Sequence, residues 1–282
     1  MDSIINDIKG VFHSGNMVNR LIVVNVLVFV LVYLIKIAIL FTGPDHQATF
    51  QSFIESMSIH TDMMYNLKHP WVFVTHAIFH VGVFHMAMNM LMLYWFGRIV
   101  GDLIGDHRVL PIFVYGCLAG LLFYLVFTNL LPEFSGYAHG ASAGVMAIVV
   151  AAGMIAPEYM IRLILIGSVR LKYVVLVVLL FDLIGLSNLQ NTGGRIAHFG
   201  GSFMGFLFIY LMSQGKDLSN PFERRPKNRR TSGSAKVITL KPRKKETESA
   251  QSIDAILEKI KRKGITSLSN EERRLLDEAS KN

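Results

Sequence analysis

Residues 142–156 read SAGVMAIVVAAGMIA, fifteen residues without a charge that open on a serine and stop before Pro157. Working outward, residues 21–41, 82–100 and 110–131 precede this segment, and residues 173–186 and 196–212 follow it, all strongly apolar. Most approach the roughly 20 residues that a helix needs to cross a bilayer. The 282-residue chain is 52% hydrophobic and only 17% charged, where soluble domains carry about 25% charged residues. Because the apolar residues are bunched into these runs, the excess is not a larger soluble core. The pattern predicts an all-α membrane protein with six transmembrane helices, the fourth of them short.

Orientation follows from the placement of Lys and Arg. With the N-terminus inside, the inner segments hold Lys9 and Arg20, then Arg98 and Arg108, then Arg162, Arg170 and Lys172, then a basic tail. The outer loops hold only Lys68 and Arg195. Both termini are therefore expected in the cytoplasm, and the long loop 42–81 is expected outside. The net charge of +8 has the same origin, since residues 216–245 alone contain eleven Lys and Arg directly after the last span. A basic flank there is suited to anionic lipid headgroups. No aromatic-basic interleaving of the kind single-strand binders use accompanies it, so a nucleic-acid partner is not expected. The single Cys117 supports neither a disulfide framework nor a cysteine metal site.

Outside the six-helix domain at 21–213, three segments stand apart. Residues 1–20 lack the form of a cleavable signal; Ile4, Ile5, Ile8, Val11 and Phe12 suggest an amphipathic helix on the membrane surface. Residues 214–250 form a basic linker without apolar periodicity, expected to be disordered. Residues 251–282 suggest a small helical hairpin. Ile253, Ile256, Leu257 and Ile260 make a stripe ended by Gly264, and Ser269 with Glu272 makes a capping box before Leu275 and Leu276. The partner of this unit is unknown from sequence.

Ionisable and polar side chains inside spans are costly and point to function by default. His85 and Asn89 lie at i, i+4 in the second span, on one helical face. Ser142 begins the fourth span within His139-Gly140-Ala141-Ser142-Ala143-Gly144, and His198 lies near the outer end of the sixth. All three spans run from outside to inside, and each of these residues is near its span's beginning, so the set shares one depth. A serine hydroxyl needs a base to take its proton, and a neutral imidazole suits that task. Charge on an attacked carbonyl oxygen needs prearranged donors, which a His, an Asn and a helix N-terminus can supply. Gly201 and Gly205, on the face of His198, would let the sixth helix approach the fourth closely.

The order Trp71, then Thr75-His76-Ala77-Ile78-Phe79-His80, then His85-x-x-x-Asn89 resembles the rhomboid signature around the second helix. Gly140-Ala141-Ser142 resembles the rhomboid nucleophile motif, and Ala197-His198-x-x-Gly201-x-x-x-Gly205 is similar to the family's last-helix motif. The resemblance covers residues 21–212 and implies a six-transmembrane-helix rhomboid bundle with a Ser–His dyad in a cavity open to the outside. By residue-wise match it implies Ser142 as nucleophile, His198 as base, and His85, Asn89 and the Ser142 backbone N–H as the oxyanion hole. It implies no metal and no cofactor. The substrates it implies are transmembrane proteins, cut next to small residues and a helix-breaking stretch. The tail resembles a small C-terminal unit of some bacterial rhomboids, and a bacterial inner membrane is the expected location. Three positions depart from the usual pattern: Ala143 stands where Gly follows the serine, Met146 where a Tyr is common, and Val72 where an Arg often follows Trp71.

Each residue also has a plainer reading. A serine between glycine and alanine in a membrane helix is usually a packing residue. His76 and His80 at i, i+4 lack the Glu of a His-Glu-x-x-His metal site, and a structural role in holding the first loop fits them better. Asp182, in the fifth span, lies at a depth that permits contact with the base, whereas the resemblance implies a dyad without an acid. The alternative to a protease is an inactive rhomboid-like protein that binds membrane helices. A transporter has little support, because the halves show neither an internal repeat nor matched broken helices.

Overall fold

The computed structural model describes residues 10–12, 15–163, 167–186, 191–222, 256, 258–261 and 267–279. The chain divides into two compact units, Met1–Arg224 and Arg225–Asn282.

Helix α1 (Met17–Leu40) starts where the Asn16 side chain accepts the Asn19 N–H at 2.9 Å. The segment read from sequence as a long loop contains short elements of its own. These are α2 (His46–Met57), β1 (Ile59–His60), α3 (Met63–Lys68) and α4 (Val72–Thr75). Helix α5 (Val83–Ile104) follows and ends at Gly105, whose φ of +100° turns the chain. A 3-10 turn at Asp106–Arg108 leads into α6 (Val109–Leu130). Strand β2 (Tyr137–Ala138) then pairs antiparallel with β1, placing Ile59 opposite Ala138 and His60 opposite Tyr137. Helix α7 (Ser142–Ile155) is followed by β3 (Met160–Leu163) and β4 (Gly167–Arg170), an antiparallel pair. Helices α8 (Leu171–Leu186) and α9 (Thr192–Ser213) complete the first unit.

The expectation of an all-α fold needs one amendment: the molecule is mostly helical, with two small two-stranded sheets. Sequence periodicity missed them because two- to four-residue strands are too short to show alternation. Among the described residues, four helices are long and apolar enough to cross a membrane, namely Met17–Leu40, Val83–Ile104, Asp106–Leu130 and Thr192–Ser213. Helices α7 and α8 are apolar but shorter. The expected N-terminal amphipathic helix falls mainly outside the described residues, which hold only its end at 10–12.

Helix α7 is the centre of the bundle. Ten of its residues from Ala143 to Ala152 are buried without a break. It is packed by small residues rather than by interlocking large ones. A Cβ on Gly201 would lie 2.0 Å from the Ala143 carbonyl oxygen, and one on Gly205 would lie 2.2 Å from that of Ala147. On the other side, a Cβ on Gly116 would meet the Ala147 Cβ at 2.4 Å, and one on Gly120 the Ala143 Cβ at 2.5 Å. Backbone therefore touches backbone where α6, α7 and α9 meet, the close approach that small residues permit in membrane bundles.

In the second unit, α10 (Asn270–Ala279) is capped reciprocally. The Ser269 N–H donates to Glu272 Oε2 at 2.7 Å, and the Glu272 N–H donates to Ser269 Oγ at 3.3 Å. Lys259 Nζ reaches Glu272 Oε1 at 2.7 Å, joining α10 to the preceding helical segment. Ile256 is buried, Leu275 is exposed, and Ile253 and Leu257 lie outside the described residues.

Candidate active site

The backbone before Ser142 is fixed by histidines from the first loop. The Gly140 N–H donates to the His76 carbonyl at 2.6 Å, and the Ala141 N–H donates to His80 Nε2 at 3.2 Å. His76 in turn bonds through Nδ1 to the Val72 carbonyl at 2.8 Å. Since only an unprotonated ring nitrogen can accept the Ala141 N–H, His80 must be neutral there. Burial, reinforced by neighbouring His85 and His139, pushes the His80 pKa down to about 4. Burial does the same to His139, with His85 again adding to the effect, to about 4. Ser58 Oγ donates to the Ile54 carbonyl at 2.6 Å and meets His139 Nδ1 at 3.0 Å, so His139 is the donor of the second bond.

The loop itself is held to this region by its own bonds. Trp71 Nε1 donates to the Ser56 carbonyl at 2.7 Å, and Thr75 Oγ1 donates to that of Met57 at 2.8 Å. Asn66 bridges both backbone groups of His60, accepting its N–H at 2.9 Å and donating to its carbonyl at 2.7 Å. The β1–β2 pair then ties the loop to the chain that enters α7.

Gly140 is needed twice over. Its φ is +128°, a region L side chains rarely adopt, and a Cβ there would stand 2.9 Å from His85 Cε1. The His85 ring fills that space, edge-on to His80 with centroids 5.3 Å apart. Asn89 is buried one turn further along α5 and donates through Nδ2 to the His85 carbonyl at 2.8 Å. Ser142 is the first residue of α7, so its backbone N–H is one of the unpaired donors of a helix N-terminus.

Ser142, His85, Asn89, Asp182 and His198 all border one cavity, which opens between α5 and α8. The structure thus brings together the four residues singled out from sequence and adds a fifth. Among the described residues no hydrogen bond joins Ser142 to His198. Ser142 also borders a second cavity, lined by His76, Cys117, Tyr124, His139 and Gly140. Met146 and Ala143, the departures from the usual motif, are both buried in the bundle.

Asp182, which the resemblance leaves outside the dyad, is bound through its carboxylate to His198. Both Oδ1 and Oδ2 lie 3.0 Å from His198 Nδ1, and Arg195 Nη1 stands 3.5 Å from Oδ1. A usable signal was present: Asp182 is the one charged residue of 173–186, and Arg195 and His198 fall three apart, on one helical face.

Comparison with known protein families gives two matches. The model described as the Rhomboid domain matches residues 67–215, just over half of the chain. A family of unknown function, DUF6576, matches residues 241–282. None of the curated proteins matches the chain.

Proposed function

The chain belongs to the rhomboid family, and from that premise we propose that it is an intramembrane serine endopeptidase cutting peptide bonds in or beside the transmembrane segments of other proteins. The observation that carries the reading is the convergence of Ser142, His85, Asn89 and His198, from three helices, on one cavity. Ser142 Oγ is the nucleophile and His198 the base. As the Oγ–C bond forms, the serine proton passes to His198 Nε2; the imidazolium then gives it to the leaving amine as the C–N bond breaks. The developing oxyanion takes hydrogen bonds from the Ser142 backbone N–H, His85 and Asn89. Asn89 Nδ2 already donates to the His85 carbonyl, and its second amide hydrogen is the one offered to the oxyanion.

The topology belongs to the same proposal. Helices α7 and α8 join the four long helices as a six-span bundle with both termini cytoplasmic and the active site facing outward, in a bacterial inner membrane. A substrate helix hides its carbonyls in its own hydrogen bonds, so it must unwind locally before Ser142 can reach one. The domain organisation follows the segments defined from sequence, with the six-helix protease domain at 21–213 and the small C-terminal unit at 251–282. Trp71, His76 and His80 serve structurally, holding the first loop and the chain before the nucleophile.

A second reading, a relative that binds membrane helices without cutting them, draws on the absence, among the described residues, of a hydrogen bond between Ser142 and His198. One experiment separates the two. Purified full-length protein in liposomes is given a transmembrane reporter substrate, and wild type is compared with Ser142→Ala and His198→Ala. A product from wild type that disappears in both variants is expected. Cleavage that persists in folded Ser142→Ala rules out the serine mechanism, and no product from any folded form favours the binding protein.

A further inference from the structure

A base that must accept a proton at Nε2 needs its other nitrogen protonated and fixed. His198 Nδ1 lies 3.0 Å from both oxygens of Asp182, and a carboxylate can only accept. The bond therefore assigns the proton to Nδ1 and leaves the Nε2 lone pair for Ser142. Asp182 is buried, where a carboxylate needs polar partners. Arg195, one helical turn before His198, stands 3.5 Å from Asp182 Oδ1 and supplies the compensating charge. Its guanidinium occupies the space over Gly185, where a Cβ would fall 1.8 Å from Arg195 Cζ. Asp182 and Gly185 on α8 thus receive Arg195 and His198 from α9 as a matched set.

Building on the reading of Ser142 and His198 given above, we propose that Asp182 is a positioning residue for the base, itself paired with Arg195, so that the bundle works with a Ser–His–Asp relay. Asp182 does not take the proton; it fixes the imidazole's tautomer and favours the imidazolium formed during attack. The other titratable neighbour sharing the cavity is His85 on α5. Helices α6 and α7, which also pack on α9, carry no acidic or basic residue.

The test uses the full chain in liposomes and follows kcat and KM against pH for wild type, Asp182→Asn and Asp182→Glu. An amide at position 182 can donate to Nδ1 and so offers the wrong tautomer. Asp182→Asn is expected to lower kcat by ~10²-fold or more with little change in KM. The acid limb of kcat/KM should be displaced, because the His198 ring no longer faces a carboxylate. Asp182→Glu should recover part of the rate. A purely structural role would lower thermal stability without moving that limb. Asp182→Asn with kcat within threefold of wild type and an unmoved acid limb overturns the proposal. Should the variants not fold, ¹⁵N spectra of histidine-labelled wild type, assigned against His198→Ala, decide instead. A protonated Nδ1 supports the proposal and a protonated Nε2 overturns it. Failure here is distinct from failure of the protease reading, which shows instead as cleavage that persists in Ser142→Ala or as no product from folded wild type.

Discussion

Gly140 concentrates much of the site's geometry in one residue. It sits at φ +128° while its missing side chain leaves room for His85 Cε1, and its N–H is held by the His76 carbonyl. Gly140→Ala meets both constraints at once. The backbone strain alone is of order 1–3 kcal/mol, and the methyl displaces the His85 ring, proposed above as an oxyanion donor. Losing one oxyanion donor costs about 10²–10³ in rate, so turnover should fall by at least tenfold in protein that still folds, measured by reporter cleavage alongside a thermal melt. In the sequence Gly140 stands out only as part of the motif Gly140-Ala141-Ser142, and its positive φ is a finding of the structure. Neither demand is legible there, because contact between residues 85 and 140 is a tertiary fact. The same limit applies to Asp182. Lys and Arg placement gave an expectation of its depth, but its bond to His198 depends on how α8 is rotated about its own axis. Only Arg195, three residues before His198, hinted at that rotation.

At the scale of elements, the long helices were legible because their apolar runs are set by the bilayer, with ends misplaced by a few residues. The loop at 42–81 was not. Its helices α3 and α4 are six and four residues long, too short to stand alone in water. They persist through bonds such as Trp71 Nε1 to the Ser56 carbonyl, which no local pattern encodes. The packing of α9 on α7 lies between these cases: Gly201 and Gly205 predicted a close approach, and the structure brings both against α7 backbone. A Cβ at Gly201 would overlap the Ala143 carbonyl oxygen, which is backbone and cannot swing aside. Gly201→Val must therefore push α9 outward, carrying His198 away from Ser142. Overpacking of this kind costs typically 1–3 kcal/mol, and cleavage should drop below detection. Gly136→Ala, where an added Cβ meets nothing within 4 Å, should match wild type in both melting temperature and product formation. Equal behaviour of the two variants would mean that the α7–α9 contact does not set the site.

For the whole molecule, the question is which part of the chain the chemistry needs. Every residue assigned to the site lies in the first compact unit, Met1–Arg224, and the two family matches fall on separate stretches, 67–215 and 241–282. A chain ended at Arg224 should therefore fold and cut a purified reporter at the full-length rate. The position of the cut matters physically. Beyond α9, Asp217 pairs with Arg108 Nε at 2.8 Å, and both side chains are partly withdrawn from solvent. Asp217 Oδ1 also accepts the Ser219 N–H at 2.8 Å, and Ser219 is fully buried. Ending the chain at Ser213 removes this clasp and leaves Arg108 without its carboxylate at the junction of α5 and α6. Breaking a partly buried pair from one side is more damaging than the pair is stabilising, because the remaining charge stays desolvated. The Ser213 truncation should therefore melt several degrees below the Arg224 truncation in the same detergent, while the Arg224 truncation keeps the melting temperature of the first unit. If the Arg224 truncation instead loses turnover with its melting temperature unchanged, the C-terminal unit takes part in the reaction or in presenting substrate. Its capped helix and basic linker would then become the next place to look for a partner.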